Sequence, residues 1–211
     1  MILTNWNWGA FKGSETGLKL CRRELAHLDA VVAKLSRRRV AVQAGGNLGI
    51  FPKRLAEEFE TVYTFEPSAE LFPLLLANAP EPNIVRFQAA LGYDRALVAT
   101  IRARRGLKTG FAHEGVTHIA GAGVVPVLRI DDLALPVCDL IYLDIEGHEA
   151  FALQGATATL SRCRPAVAVE INENITHEGL TRGDVVTLLE AHGYHFVEKL
   201  GSDEFFLPEA A

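Results

Sequence analysis

The chain has 211 residues, 49% hydrophobic and 22% charged, which is the balance of one globular domain rather than a disordered segment. Its net charge of −5, from 21 basic and 26 acidic residues, argues against a general nucleic-acid-binding surface. Cys21, Cys138 and Cys163 are scattered without CxxC spacing, so reduced structural thiols are expected, not a disulfide framework or a zinc site. With no basic-then-apolar leader and no apolar run near about 18 residues, the expectation is a cytoplasmic protein without a membrane partner.

Residues 1–13 hold Trp6, Trp8 and Phe11 among Asn and Gly without a period. Packing on the core is their expected use, and an acceptor contact is the alternative. From Ser14, the stripe Leu18, Leu25, Leu28, Val31, Val32 and Leu35 predicts a helix. Arg37, Arg38 and Arg39 close it with positive charge, which suits a helix C-terminus and reads as a solvated end rather than a phosphate patch. Residues 1–37 thus form a helical extension ahead of a core spanning 38–211.

Val40–Ala44 is an apolar, partly β-branched run that predicts a buried strand, and Gly45, Gly46 and Gly49 around Asn47 predict a tight turn. Ile50, Phe51, Arg54, Leu55, Glu58 and Phe59 then recur at helical spacing. Thr61–Phe65 is a second apolar strand ending on Glu66-Pro67. An acid at that strand tip accepts hydrogen bonds from both hydroxyls of a ribose. Turn and acid together favour a nucleoside site over a loop glycine and a solvated carboxylate.

Ser68 should cap a helix from Ala69 to Asn78, stopped by Pro80 and Pro82. Ile84–Phe87 is a third strand leading to Ala90 and Gly92, where a small residue lets an adenine ring lie on the backbone or simply makes a tight exit. Residues 93–130 interrupt the strand–helix rhythm as an insertion. Ala96–Ala103 alternates enough for a strand, and Val124–Leu128 is expected to pair with it. Between them, 104–123 carries five glycines, several cations, His113 and His118. A loop acting as a lid or acceptor-binding segment is expected there. The spacing of the two histidines suits no helical metal pair.

Leu140–Leu143 is apolar on both faces, as in a central strand covered by helices. Asp144 and Glu146 follow, two apart, and on an extended chain they face the same way. Gly147 then turns the chain into a helix packed through Ala150, Leu153 and Leu160. Three acids in six residues repel one another, so burying them calls for a cation on the ligand or a metal. Glu149 is explained by the positive end of the following helix, but Asp144 is not. For His148, catalysis and packing stand equal. Pro165–Asn172 is another buried strand and carries Glu170. Thr181–His192 is a helix with Val185, Val186, Leu188 and Leu189 inward, ended by Gly193. Tyr194–Val197 and Glu204–Leu207 should pair as an antiparallel hairpin at the sheet edge.

Gly45, Glu66, Ala90, Asp144, Glu146 and Glu170 all fall at or just after strand C-termini, the ligand edge of an open α/β sheet. The run Val42-Gln-Ala-Gly-Gly-Asn-Leu-Gly49, then Phe65-Glu-Pro67, Ala90-Leu-Gly92, Leu143-Asp-Ile-Glu-Gly-His-Glu149 and Pro165 to Ile171 resembles the FkbM family of S-adenosylmethionine-dependent methyltransferases. The resemblance covers about residues 38–175. It implies a Rossmann-like class I methyltransferase: a mostly parallel seven-stranded sheet with an antiparallel edge hairpin and helices on both faces. It also implies S-adenosylmethionine as cofactor and O-methylation of a sugar or small natural-product hydroxyl.

On this reading Gln43, Gly45, Asn47, Gly49, Glu66, Pro67, Ala90 and Asp144 bind the cofactor. Asp144, Glu146 and His148 are the catalytic candidates, as a base that takes the hydroxyl proton. A divalent metal on Asp144 and Glu146 is an alternative that the spacing does not require. Two positions depart from the family: Gln43 stands where an acid is usual, and Gly46 where Ala is. Gln43 can donate and accept hydrogen bonds but cannot offset the cofactor's positive charge. A nicotinamide oxidoreductase would share the turn and Glu66. However, Ala44 occupies the first glycine position of GxGxxG, and no Tyr-x-x-x-Lys follows. A nucleoside-binding module without catalysis is the other rival, with Gln43 as its only hint.

Overall fold

The computed structural model describes residues 15–94, 99–103, 117–171 and 181–209. The Trp6, Trp8, Phe11 segment, Ser14 and His113 lie outside these. Helix α1 (Glu15–Ala33) buries Leu28, Val31 and Val32, the C-terminal part of its predicted stripe. It stops at Ala33, short of the arginines expected to close it. Arg38 still reaches back to the helix end, donating from Nη2 to the Val32 carbonyl at 3.1 Å, and it pairs with Glu58. Arg39 is tied to Asp139 at 2.6 Å, so this run is braced to the domain rather than simply solvated.

Strand β1 (Val40–Ala44) leads through the glycine turn to α2 (Ile50–Ala56) and β2 (Thr61–Phe65). The helix predicted from Ala69 starts later, as α3 (Phe72–Asn78). Ser68 nonetheless acts on its entry, because Ser68 Oγ accepts from the backbone N–H of Glu70 and of Leu71, both at 3.2 Å. Strand β3 (Ile84–Phe87) and the short β4 (Ala90–Leu91) follow.

The insertion differs from expectation. Strand β5 (Ala99–Ala103) pairs with β6 (Thr117–Ala122), which lies inside the stretch read as loop and contains His118. The 124–128 segment does not pair with β5. Its last residues form β7 (Val127–Leu128), parallel to β4. Alternation alone was too weak to distinguish these partners, since 117–122 offers mostly small residues to either choice.

A single 3₁₀ turn, Ile130–Leu133, precedes β8 (Leu140–Leu143), all four of whose residues are buried. The helix expected after Gly147 is two helices, α4 (Glu149–Gln154) and α5 (Thr157–Cys163), with Gly155 at the break. A β-carbon on Gly155 would stand 2.0 Å from the Gly92 carbonyl oxygen, so the break is where helix and β4 exit touch backbone to backbone. Strand β9 (Ala166–Glu170) and α6 (Arg182–Ala191) follow. A capping box formed by Thr181 and Asp184 starts α6. Strands β10 (Tyr194–Leu200) and β11 (Asp203–Pro208) form the predicted antiparallel hairpin.

The main sheet has seven strands in the order β10-β11-β9-β8-β1-β2-β3. All neighbours from β9 to β3 are parallel, and only β11, between β9 and the edge strand β10, runs against the others. Helices α1 and α2 cover one face, where Leu28, Leu55 and Phe59 pack on Ala41, Val62, Leu140 and Phe205. Helices α4, α5 and α6 cover the other, where Leu153, Leu160 and Leu189 meet Val42, Ile141 and Val167. Each such fully buried aliphatic side chain is worth about 1.5–3 kcal/mol relative to exposure. The sheet therefore presents only its edges and strand tips, and β1 and β8 lie side by side where the crossover direction reverses.

Candidate active site at the strand tips

The strand tips are shaped first by β1. Gly45 adopts a left-handed φ of 84°, and its backbone lies so close to β8 that a β-carbon would stand 1.9 Å from the Asp144 carbonyl oxygen. The N–H groups of Gly45 and Gly46 both donate to the Phe65 carbonyl. Asn47 and Gly49 are also left-handed, at φ 44° and 91°. The turn is thus welded to both neighbouring strands.

Gln43 is fully buried, and its amide is spent within the protein. Nε2 donates to the carbonyls of Ala44 (3.0 Å) and Gly45 (2.9 Å), while Oε1 accepts from Thr64 Oγ1 at 2.6 Å. It clamps the strand tip from behind.

Glu66 is 3% exposed. Its Oε2 accepts from the Asn47 N–H at 2.7 Å and its Oε1 from the Ser68 N–H at 2.8 Å. Burial pushes its carboxyl up to about 7, while the two backbone bonds pull it down. The acid thereby fixes the glycine turn to the β2 exit, and each oxygen keeps a second lone pair for a hydroxyl. Pro67 is half-buried beside it. Ala90 is buried, and its N–H is committed to the Pro126 carbonyl, so an adenine would meet its Cβ and carbonyl side rather than that donor.

The β8 tip gathers the acids. One carboxylate oxygen each from Asp144, Glu146 and Glu170 lies within 4.8 Å of the others. They converge through a turn and not along an extended chain, since Glu146 is left-handed at φ 57° and Gly147 follows at φ 102°. A non-glycine residue held there is strained, which is common where a loop is shaped for a ligand. Burial holds the Asp144 carboxyl well above its ordinary range, and the repulsion and hydrogen bonding of Glu170, then Glu146 and Asp203, push it the same way. The Asp144 carboxyl therefore favours its protonated form until a cation offsets the charge. Three oxygen donors at this spacing also suit a hard divalent cation.

Glu149 stands in the first turn of α4, as expected of an acid at the positive helix end, and it does more than that. It is 1% exposed and accepts from the N–H groups of Ile145 (2.9 Å) and Gly147 (3.0 Å), tying down the acid-bearing loop. Burial raises it to about 7. His148 meets Phe151 at 4.8 Å, and burial lowers its imidazole to about 4. It is neutral at pH 7 and a weak base, far from the matched pKa that base catalysis favours.

Two buried groups escaped sequence reasoning. Tyr142 donates to Asp203 Oδ2 at 2.5 Å, and Asp203 faces Glu170 across the β9–β11 register. Burial raises Asp203 to about 6. Tyr142 was findable, being two residues before Asp144 on the same strand face. Asp203 was not, because its position depends on hairpin register.

The strand order, the β1–β8 switch point and the polar tips around it define the class I methyltransferase fold. The profile of the Methyltransferase FkbM domain matches residues 48–196, well over half of the chain, and the chain belongs to that family. Gln43 and the first residues of the glycine turn lie ahead of the matched span.

Among solved structures, the chain is similar to methyltransferase FkbM from Methylobacillus flagellatus KT, with 16% identity and a TM-score of 0.52. That match covers 81% of this chain but only 43% of the Methylobacillus protein. It is also similar to magnesium protoporphyrin IX methyltransferase from Synechocystis PCC 6803 with bound SAM. There the identity is 12%, the TM-score 0.53, and the coverage 96% of this chain and 88% of that one. At such identities the likeness speaks for the fold. No protein with a curated description matches the sequence. Among the described residues, no helix is long and apolar enough to cross a membrane.

Proposed function

We propose that the chain binds S-adenosylmethionine across the tips of β1, β2 and β8 and transfers its methyl to a hydroxyl of a sugar or small natural product. The observation that carries this is the acid cluster of Asp144, Glu146 and Glu170 at the β8 tip, where the Asp144 backbone packs directly against the Gly45 turn. When bound, the cofactor supplies a methyl already activated by its sulfonium. The protein must orient, exclude water and manage one proton.

Glu66 accepts the two ribose hydroxyls on its remaining lone pairs. The β8-tip acids receive the positive charge of the cofactor, which relieves their mutual repulsion. Glu146, or Asp144 once ionised beside the cofactor's charge, then accepts the acceptor's hydroxyl proton. The same three carboxylates would hold a divalent cation, which would lower the pKa of a bound hydroxyl. The net charge of −5 supports a small neutral acceptor over a nucleic acid. The free thiols of Cys138 and Cys163 support a reducing, cytoplasmic setting.

Thermal unfolding with S-adenosylhomocysteine and, separately, NAD tests the cofactor. A ligand at a hundredfold excess over its dissociation constant should stabilise by about 2.7 kcal/mol. Stabilisation by NAD instead would turn the reading to an oxidoreductase. A methyl-transfer screen over glycosides and small phenols then tests the acceptor, and binding without turnover on any of them would favour a catalytically silent module.

A further inference from the structure

The loop at the β8 tip carries His148 onto a cluster of rings. A β-carbon on Gly92 would stand 3.6 Å from His148 Nε2, so the imidazole lies over that glycine. The same imidazole meets Phe151 of α4 at 4.8 Å with planes inclined by 46°, and Phe151 meets Tyr93, with ring centroids 5.5 Å apart and planes inclined by 33°. Tyr93, next to Gly92, is 54% exposed. Three rings, from the loop after β4, the β8-tip loop and helix α4, thus form one cluster, whose outermost member remains open to solvent.

We propose that Tyr93, Phe151 and His148 form a shelf that seats the acceptor, a ring with an apolar face and hydroxyls on its rim. The inference rests on the methyl-transfer reading and adds the residues that choose the acceptor. His148 follows Glu146 by two residues on the loop that bears Asp144, and on this proposal a ring lying on the shelf turns its rim toward the carboxylates of that loop. An aromatic floor stacks on the C–H face of a pyranose or on an aryl ring. Carboxylates beside it accept hydrogen bonds from hydroxyls and repel anions. A flexible polyol lacks a face for the aromatic floor, and a phosphorylated ligand is repelled by the carboxylates. Close approach depends on Gly92, since a side chain there would meet Val127 Cγ1 at 2.8 Å and crowd the imidazole.

The test loads the wild-type protein with S-adenosylhomocysteine and measures binding of methyl glycopyranosides, of small phenols and of sorbitol by saturation-transfer NMR and calorimetry. One ring class should bind and sorbitol should not, and which class binds separates a sugar from an aryl acceptor. Tyr93→Ala should weaken that ring by roughly three- to tenfold, the usual reach of one aromatic contact. Tyr93→Leu keeps apolar cover over Phe151 but lacks a flat face, and it should weaken the ring comparably while retaining the wild-type melting temperature. Tyr93→Trp should bind at least as well as wild type. S-adenosylhomocysteine affinity should be unchanged in all three variants. Equal ring binding by Tyr93→Leu and wild type overturns the shelf, as does binding of sorbitol on a par with the rings. If S-adenosylhomocysteine binds but neither ring class does, the shelf falls and the methyltransferase reading stands. If S-adenosylhomocysteine itself fails to bind, the underlying reading falls and takes the shelf with it.

Discussion

Thr64 Oγ1 donates a 2.6 Å hydrogen bond to Gln43 Oε1, and this contact explains why an amide stands at the tip of β1. The other end of the same amide donates to two backbone carbonyls that no ionised carboxylate could serve. Gln43 therefore shapes the glycine turn from behind instead of facing the cleft, which relieves it of the charge-compensating role an acid would have. Under the proposed function that role would fall to the acids of β8. Replacing Gln43 with Glu would set a charge against the carbonyls of Ala44 and Gly45. A loss of about 1–3 kcal/mol in urea unfolding is expected, with no selective gain in S-adenosylmethionine over S-adenosylhomocysteine affinity. Selective tightening of the cationic ligand without a loss of stability would refute the clamp.

The two neighbouring glycines should respond differently to alanine. Gly45→Ala combines a left-handed φ with a 1.9 Å collision against backbone oxygen, so about 3 kcal/mol or more of destabilisation is expected, with cofactor binding lost. Gly46→Ala meets the Leu75 Cδ1 tip at 2.3 Å and Thr64 Oγ1 at 3.0 Å. A leucine tip can rotate away, so a cost near 1 kcal/mol is expected. Paired thermal melts decide this, and equal losses for the two variants would contradict it.

The pH dependence follows from Glu66 and Glu149, each raised from an ordinary 4.5 to about 7 by burial. For a carboxyl raised on folding, the native state holds its proton more tightly than the unfolded chain. Its stabilising contribution is complete below about pH 4.5 and is lost as pH rises through 7. Each residue contributes on the order of 3 kcal/mol across that window as an upper bound. The ligand-free protein should thus melt at lower temperature at pH 8 than at pH 5.5, and Glu66→Gln should flatten the slope. Ribose hydroxyls favour the ionised form, so S-adenosylhomocysteine affinity should rise from pH 6 to 8. Glu66→Ala should weaken both cofactor forms alike by roughly 1.5–3 kcal/mol in calorimetry. Unchanged affinity would remove Glu66 from the ribose site.

The acid cluster should carry the proton chemistry. Asp144→Asn and Glu146→Gln keep size and remove charge, and each should lower turnover about a hundredfold or more with an identified acceptor. Glu146→Gln should leave cofactor affinity nearly intact, while Asp144→Asn should reduce it. EDTA then separates the routes, because a cation held by these carboxylates would be stripped with loss of activity and a side-chain base would be indifferent. Near-full turnover in both variants would make the cluster structural.

Much of this arrangement was legible without coordinates. The apolar runs at 40–44, 61–65, 84–87, 140–143 and 166–170 read as strands because strands buried on both faces need unbroken hydrophobicity. The acids following them mark the ligand edge because an open sheet binds ligands at its strand C-termini. The 93–130 insertion was legible only as an interruption. Its residues alternate weakly, so their pattern reads β6 as loop and pairs β7 with β5, and only pairing geometry shows the partners they have.

What the sequence determined by itself was everything local or periodic: the order of strands and helices through the core, the glycine turn, and which residue types end each strand. The tertiary structure decided what those residues do to one another. Gln43 turned inward because Thr64 and two carbonyls lie within its reach, and Glu149 folded back onto the loop before it. Asp203, 33 residues further along the chain, came to lie beside Glu170 through the register of the β9–β11 pairing. Hydrophobic periodicity reports which face a residue takes, but a hydrogen bond depends on angstrom-scale distances between strands that the linear order does not encode.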